Sequence, residues 1–182
     1  PLLEAFDRFV EAVDGPVLVG ADDEQGAALA QRHATATVGT SVGSDWRLSG
    51  VVESWEGVRF TLTGPASGAF ELELPVPGLH NARNAASAAA MAITAGAAPE
   101  AAASALARFG GVARRFEHRG QVAGIVLVDD YAHLPTEVGA VLATARSGGF
   151  NRVVAVFQPH RFSRTEALWS SFGCSFDDAD VL

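Results

Sequence analysis

All 13 basic side chains are arginine; the sequence contains no lysine. Within these residues that excludes a phosphate-loop lysine, a Schiff-base lysine and a carbamylated-lysine metal ligand. Cysteine occurs once, as Cys174, so no intrachain disulfide can form, and a reducing compartment, the cytoplasm, is the expected location. No uninterrupted apolar run reaches the roughly 18 residues of a membrane-spanning helix, and no secretory leader is visible. There is no long block of one charge, which argues against disorder. The net charge of −8 disfavours nonspecific nucleic-acid binding. Nothing in the composition speaks to oligomeric state.

What is present suits one full domain or two partial ones, since 48% of the 182 residues are hydrophobic. The first residue is Pro rather than Met, and the closing "DADVL" reads as the opening of a strand. The sequence is therefore expected to be a piece of a longer protein.

Residues 1–13 place Leu2, Leu3, Phe6, Phe9, Val10 and Val13 on one helical face. "GPVLVG" (15–20) predicts a short strand, "DDEQGAALAQRHA" a helix with an acidic start, and "ATATVG" (34–39) another strand. This alternation predicts the edge of a parallel, doubly wound sheet. "WRLSGVVESWEG", "VRFTLTG" and "GAFELELPVPG" then alternate polar with apolar residues and predict two or three antiparallel strands. Two helices follow, over 80–97 and 99–112, with Gly96 ending the first and Pro99 in the first turn of the second. After the charged stretch 113–121, a fresh alternation is expected: strand 121–128, helix 136–147, strand 152–157, helix 164–172 and a strand beginning near 180. The fold expected is α/β in two partial domains, split near residue 118.

Four stretches carry chemistry. "GLHNARNAASAAA" puts His80, Asn81 and Asn84 at a helix start. Capping explains the asparagines equally well, but two amides at i and i+3 can also face one ligand, and an amide can pair with an adenine edge. "GVARRFEHRG" holds Arg114 and Arg115, either a solvated face or a clamp for phosphate. "VDDYAHLPTEV" gathers Asp129, Asp130, Tyr131 and His133 where a strand runs out. "VFQPHRFSRT" does the same with His160, Arg161 and Arg164. Ligands of open α/β sheets bind at such carboxyl ends. His33 has no such context and reads as ordinary.

In this order and at this spacing, "GLHNARNAASAAA", "GVARRFE", "DDYAHLPTE" and "FQPHRFSRT" resemble the Mur ligase family. Each motif is weak alone, and the ordered set is specific. The resemblance implies that residues 1–118 are the later part of a central ATP-binding domain, a parallel sheet with small antiparallel strands. Residues 119–182 would be the beginning of a Rossmann-like carboxyl-terminal domain.

It also implies an ATP-dependent carboxylate–amine ligase of peptidoglycan precursor synthesis that works through an acyl phosphate. "DDYAH" and "FQPHR" favour UDP-N-acetylmuramate and L-alanine as the small-molecule substrates. ATP and Mg2+ are implied, with the magnesium ligands outside this chain and none expected within it. By resemblance, Asn81 and Asn84 sit near adenine, Arg115 reaches the transferring phosphate, and Asp130 binds the ribose. Tyr131 and His133 border the amino-acid site, with His133 and Arg115 closest to the chemistry, while Arg161 and Arg164 pair with substrate carboxylates. Domain closure is expected to complete such a site. Two positions depart from the family pattern: Leu134 stands where a second His is usual, and Phe162 where Tyr is common. Two other readings stand beside this one, a sister ligase including the folylpolyglutamate type, and a noncatalytic nucleotide-binding module.

Overall fold

The computed structural model describes residues 2–182. It divides into two compact units. The first holds the residues as far as Val52, Arg59–Leu74 and Asn81–Arg108, and the second Glu53–Val58, Pro75–His80 and Phe109–Leu182.

In the first unit, helix α1 (Leu2–Glu11) is followed by β1 (Leu18–Gly20), α2 (Glu24–His33) and β2 (Ala36–Gly39). The first two strands pair in parallel, and β2 also pairs in parallel with β3 (Trp46–Ser54). Strands β4 (Gly57–Gly64) and β5 (Gly68–Leu74) complete a five-stranded sheet in the order β1-β2-β3-β4-β5. The connections from β3 to β4 and from β4 to β5 are so short that only hairpins can span them. This is the parallel sheet with small antiparallel strands that the alternation predicts, with three strands in the second part.

The sheet is pinned by its own periodicity. Val58, Phe60 and Leu62 alternate inward along β4 and join Trp46, Leu48, Leu72 and Leu74 in the core. Gly64 lies against the Trp46 indole, where any Cβ would collide with the ring. The apolar face of α1 behaves differently from expectation: Val10 is buried, but Leu2 and Phe9 remain 71% and 66% exposed. Asp7 of α1 ties it to α2, bonding Arg32 at 3.0 Å and His33 at 2.7 Å. His33 is thus a structural residue. After the sheet come α3 (Leu79–Thr94) and α4 (Pro99–Leu106). The α3 face Ala82, Ala85, Ala86, Ala89 and Ala90 is buried, small side chains that let the helix approach closely.

The second unit departs from expectation at its start. "QVAGIVLV" is not one buried strand. It is a hairpin, β6 (Glu117–Val122) and β7 (Ile125–Asp129), paired antiparallel. Ala123 (φ 51°) and Gly124 (φ 81°) are both left-handed, the requirement of a two-residue hairpin turn. The hairpin is wet, with Val122 67% and Ile125 64% exposed. Helix α5 (Pro135–Ser147) then packs Val138 and Leu142 into a cluster with Val153, Phe157, Phe172 and Phe176. The strand expected at 152–157 reduces to one parallel bridge, Val154 to Val181. Asp180 supports it by accepting from the Val153 N–H at 2.7 Å. Helix α6 covers Phe162–Leu168 and tightens into a 3-10 turn over Trp169–Ser171, in place of a single helix to 172.

Candidate functional site

The candidate residues of the first unit lie at the start of α3. Asp22, in the loop leaving β1, accepts from the Thr40 N–H at 2.7 Å and the Thr40 hydroxyl at 2.9 Å. Its other oxygen pairs with Arg83 Nε at 2.8 Å. One carboxylate thus ties the carboxyl ends of β1 and β2 to the first turn of α3. Arg83 lies between Asn81 and Asn84, and Asn84 is exposed at that turn. The pinned turn leaves the Asn84 amide open to solvent, a donor and an acceptor side by side.

The candidate residues of the second unit are built around Arg115. Arg114 (φ 58°) and Phe116 (φ 48°), on either side of it, are both left-handed. For residues with a Cβ this conformation is costly and persists only when the surroundings over-determine it. Those surroundings are visible. Glu117 accepts from the Arg114 N–H at 2.8 Å, and the Arg114 carbonyl accepts from the Tyr131 N–H at 2.8 Å. Asp130 accepts from the Phe116 N–H at 2.7 Å with one oxygen and from the Ala132 N–H at 2.6 Å with the other. Asp129, its neighbour, takes Arg119 at 3.1 Å and Arg114 at 3.6 Å. The two adjacent carboxylates therefore hold different partners, Asp129 at the last position of β7 and Asp130 just beyond it. The Arg115 guanidinium stays half-exposed, with Glu137 at 3.5 Å.

Tyr131 is the centre of a second grouping. The Arg114 guanidinium lies 4.8 Å from its ring centroid, a cation over a π face. The His133 ring stands edge-on at 5.3 Å, and His160 at 6.2 Å. His133 Nδ1 is 2.8 Å from the Tyr131 carbonyl. A carbonyl only accepts, so Nδ1 carries the proton of the neutral ring and Nε2 is left as the basic nitrogen. At the start of α5, Glu137 accepts from the N–H groups of His133 (3.0 Å) and Leu134 (3.1 Å), closing half a capping box. Leu134 contributes no side-chain bond to this helix start. Burial pushes the Glu137 carboxyl up, but the two backbone donors, with His133 and Arg115, outweigh it and hold it below its usual range. His80 is held below the ordinary histidine value by burial, opposed by Asp130 and Glu53 and reinforced by Arg115.

Arg161 (φ 70°) precedes α6, and its carbonyl accepts from the N–H groups of Arg164 and Thr165. Its side chain is exposed, and that of Arg164 is half-buried. Structure thus brings Arg115, Asp130, Tyr131, His133 and His160 into linked groupings within one unit. Glu137 was not singled out by sequence, although Pro135 followed by Glu137 is a helix-start signature. Trp55 had no signal at all. It packs edge-on against Phe116, His118 and Phe150 at 6.0, 5.4 and 5.1 Å. Among the described residues no group of three or more His, Cys, Asp or Glu is placed to hold a metal, and no helix is long and apolar enough to cross a membrane.

The family model for the Mur ligase middle domain matches residues 2–92, and that for the Mur ligase glutamate ligase domain matches 114–182. A UDP-N-acetylmuramate–L-alanine ligase of an Arthrobacter species is 45% identical over 187 aligned residues, covering 98% of this chain and 39% of that protein. The Kineococcus radiotolerans protein of the same name is 44% identical, with the same coverage of 98% and 39%. Among solved structures, the UDP-N-acetylmuramate–alanine ligase of Thermotoga maritima superposes with a TM-score of 0.79 at 29% identity, over 98% of this chain and 39% of that one. A folylpolyglutamate synthase variant of L. casei shares the fold, with a TM-score of 0.72 at 17% identity. The chain spans about two fifths of the length of the curated relatives it matches, 39% for the first two, and it belongs to the Mur ligase family.

Proposed function

We propose that this chain is part of a cytoplasmic ATP-dependent ligase that joins L-alanine to UDP-N-acetylmuramate. The observation that carries the reading is the left-handed pair flanking Arg115, which holds its half-exposed guanidinium beside Glu137 while the adjoining Phe116 N–H is bound by Asp130. In this reading the family boundary falls near residue 118, with 1–118 serving nucleotide binding and 119–182 opening the carboxyl-terminal domain.

ATP supplies the phosphoryl group that makes the muramate carboxylate reactive toward the alanine amine. The chain's own side chains bind, orient and neutralise. Asn84, with Asn81 beside it, meets the adenine edge. Asp130 keeps lone pairs beyond its two backbone bonds, enough to accept from ribose hydroxyls. Arg115 offsets charge on the transferring phosphate, where positioning and electrostatics dominate such chemistry. His133 presents Nε2 to take a proton from the alanine ammonium, and Tyr131 borders that amine. Arg161 and Arg164 pair with substrate carboxylates. Mg2+ belongs to the same reading, with its ligands assigned by the family resemblance to the ligase outside this segment.

The direct test is ligation by the full-length protein that carries this segment. ATP, UDP-N-acetylmuramate and L-alanine should give ADP and product, with glycine, D-glutamate or a folate substrate much poorer. Preference for any of those rejects the reading.

A more local expectation concerns Arg161→Ala. It should raise the Michaelis constant for UDP-N-acetylmuramate or alanine by about 1–3 kcal/mol equivalent, the range for hydrogen bonds to charged groups. The ATP constant should stay within about twofold, since a lost carboxylate contact removes uniform binding of that substrate only. A raised ATP constant with the others unchanged assigns Arg161 to the nucleotide instead.

A further inference from the structure

We propose that Trp55 is a positioning residue that sets the direction of Arg115 by acting through Phe116. This rests on the ligase reading above for its kinetic consequence, but its structural basis is independent.

Phe116 pays for its left-handed backbone with a buried ring, 7% exposed. The Trp55 indole packs against that ring, 6.0 Å away at an interplanar angle of 61°. Edge-to-face geometry of this kind is attractive and directional. The indole is itself held by Phe150 at 5.1 Å and 86° and by His118 at 5.4 Å and 84°. It is therefore a fixed wall. Removing the wall frees the Phe116 ring to move, and relaxing φ at Phe116 swings the peptide before it, which belongs to Arg115. The Phe116 N–H bond to Asp130 at 2.7 Å then lengthens or breaks. Trp55 packs on Phe116, His118 and Phe150, none of them a proposed substrate contact, so its effect on the reaction runs through Phe116 to the two site residues joined to it, Arg115 and Asp130. A displacement of a charged group by about 1 Å costs up to about a hundredfold in rate.

The test uses the full-length ligase with Trp55→Leu, Trp55→Phe and Arg115→Ala. Two readouts are taken. Hydrogen exchange at the Phe116 amide should accelerate about tenfold or more in Trp55→Leu, while protection across α5 holds, because the opening is local. In steady state, kcat should fall about tenfold or more with the muramate and alanine constants within about twofold, and Trp55→Phe should recover most of it. In the Arg115→Ala background, Trp55→Leu should cost less than about twofold further, the signature of two residues acting through one contact. Should Trp55→Leu not fold, Phe116→Leu removes the same contact from the other side and is read in the same way.

Unchanged exchange at Phe116, or a kcat loss of full size that persists in the Arg115→Ala background, overturns the proposal. If the parent enzyme performs no ATP-dependent ligation, the ligase reading fails, and the Phe116 exchange rate alone decides whether Trp55 positions this backbone.

Discussion

Asp130→Asn is expected to lower both the stability of the second unit and the affinity of the proposed full-length ligase for ATP. Each Asp130 oxygen accepts a backbone N–H, from Phe116 at 2.7 Å and Ala132 at 2.6 Å. An amide cannot replace both, because its nitrogen is a donor and would face another donor. The lost charge-assisted bond and the orphaned N–H together cost about 1.5–3 kcal/mol, read as a shifted denaturation midpoint. The same change removes negative charge from the group proposed to hold the ribose, so ATP affinity should fall by about 1–3 kcal/mol at fixed magnesium. Asp129→Asn is the control. Its partners, Arg119 at 3.1 Å and Arg114 at 3.6 Å, are exposed, so stability should change by less than about 1 kcal/mol. ATP affinity should not change. If Asp130→Asn loses stability but binds ATP normally, the carboxylate is structural only. If Asp129→Asn loses the ATP affinity, the nucleotide role lies on the other face of the strand.

These two carboxylates also mark what sequence can and cannot reveal. Alternation along a strand separates neighbours, so "DD" could be read as two residues with different work. The strand itself was misread. "QVAGIVLV" is continuous in β propensity, and Ala123 gives no warning that it takes φ 51° and starts a turn. Turn readings rely on Gly or Asn at such positions, and here only Gly124 fits. The strand at 152–157 was overcalled for a related reason. "RVVAVF" has strand composition, but only Val154 forms a bridge, and Val156 is 97% exposed. Where chemistry is set by local rules, the reading was closer: Pro99 opens α4 and the "LHNARN" stretch opens α3.

Left-handed arginine and phenylalanine are invisible to propensity altogether. The pair at 114 and 116 depends on partners about 14 or more residues away, Asp130 and Tyr131, and on an indole contributed by a distant hairpin turn. Tertiary contacts impose that geometry, and it is typical of positions where strain is retained for function. Residue chemistry alone leaves Arg115 as one of several charges in a boundary, and only the family resemblance assigns it to the transferring phosphate. The backbone singles it out as the residue between two strained neighbours.

Arg115→Ala should therefore give the largest kinetic loss in the proposed ligase, about a thousandfold in kcat. That is the lower end of what a single arginine contributes to phosphoryl transfer by neutralising charge in the transition state. The ATP constant should move by less than about threefold, because an interaction made chiefly in the transition state lowers kcat and leaves ground-state binding alone. Stability should hardly change, since the guanidinium is half-exposed and its ion pair to Glu137, at 3.5 Å, is long. Arg115→Lys should recover only a small part, as a point charge lacks the planar fork that meets two phosphate oxygens. Arg114→Ala provides the contrast. Arg114 lies over the Tyr131 ring at 4.8 Å and pairs with Asp129, so its loss should disturb the amino-acid side and raise the alanine constant. If Arg114→Ala is the variant that loses kcat while Arg115→Ala retains it, the phosphate role belongs to Arg114, and the alternating backbone turns the other arginine toward the reaction.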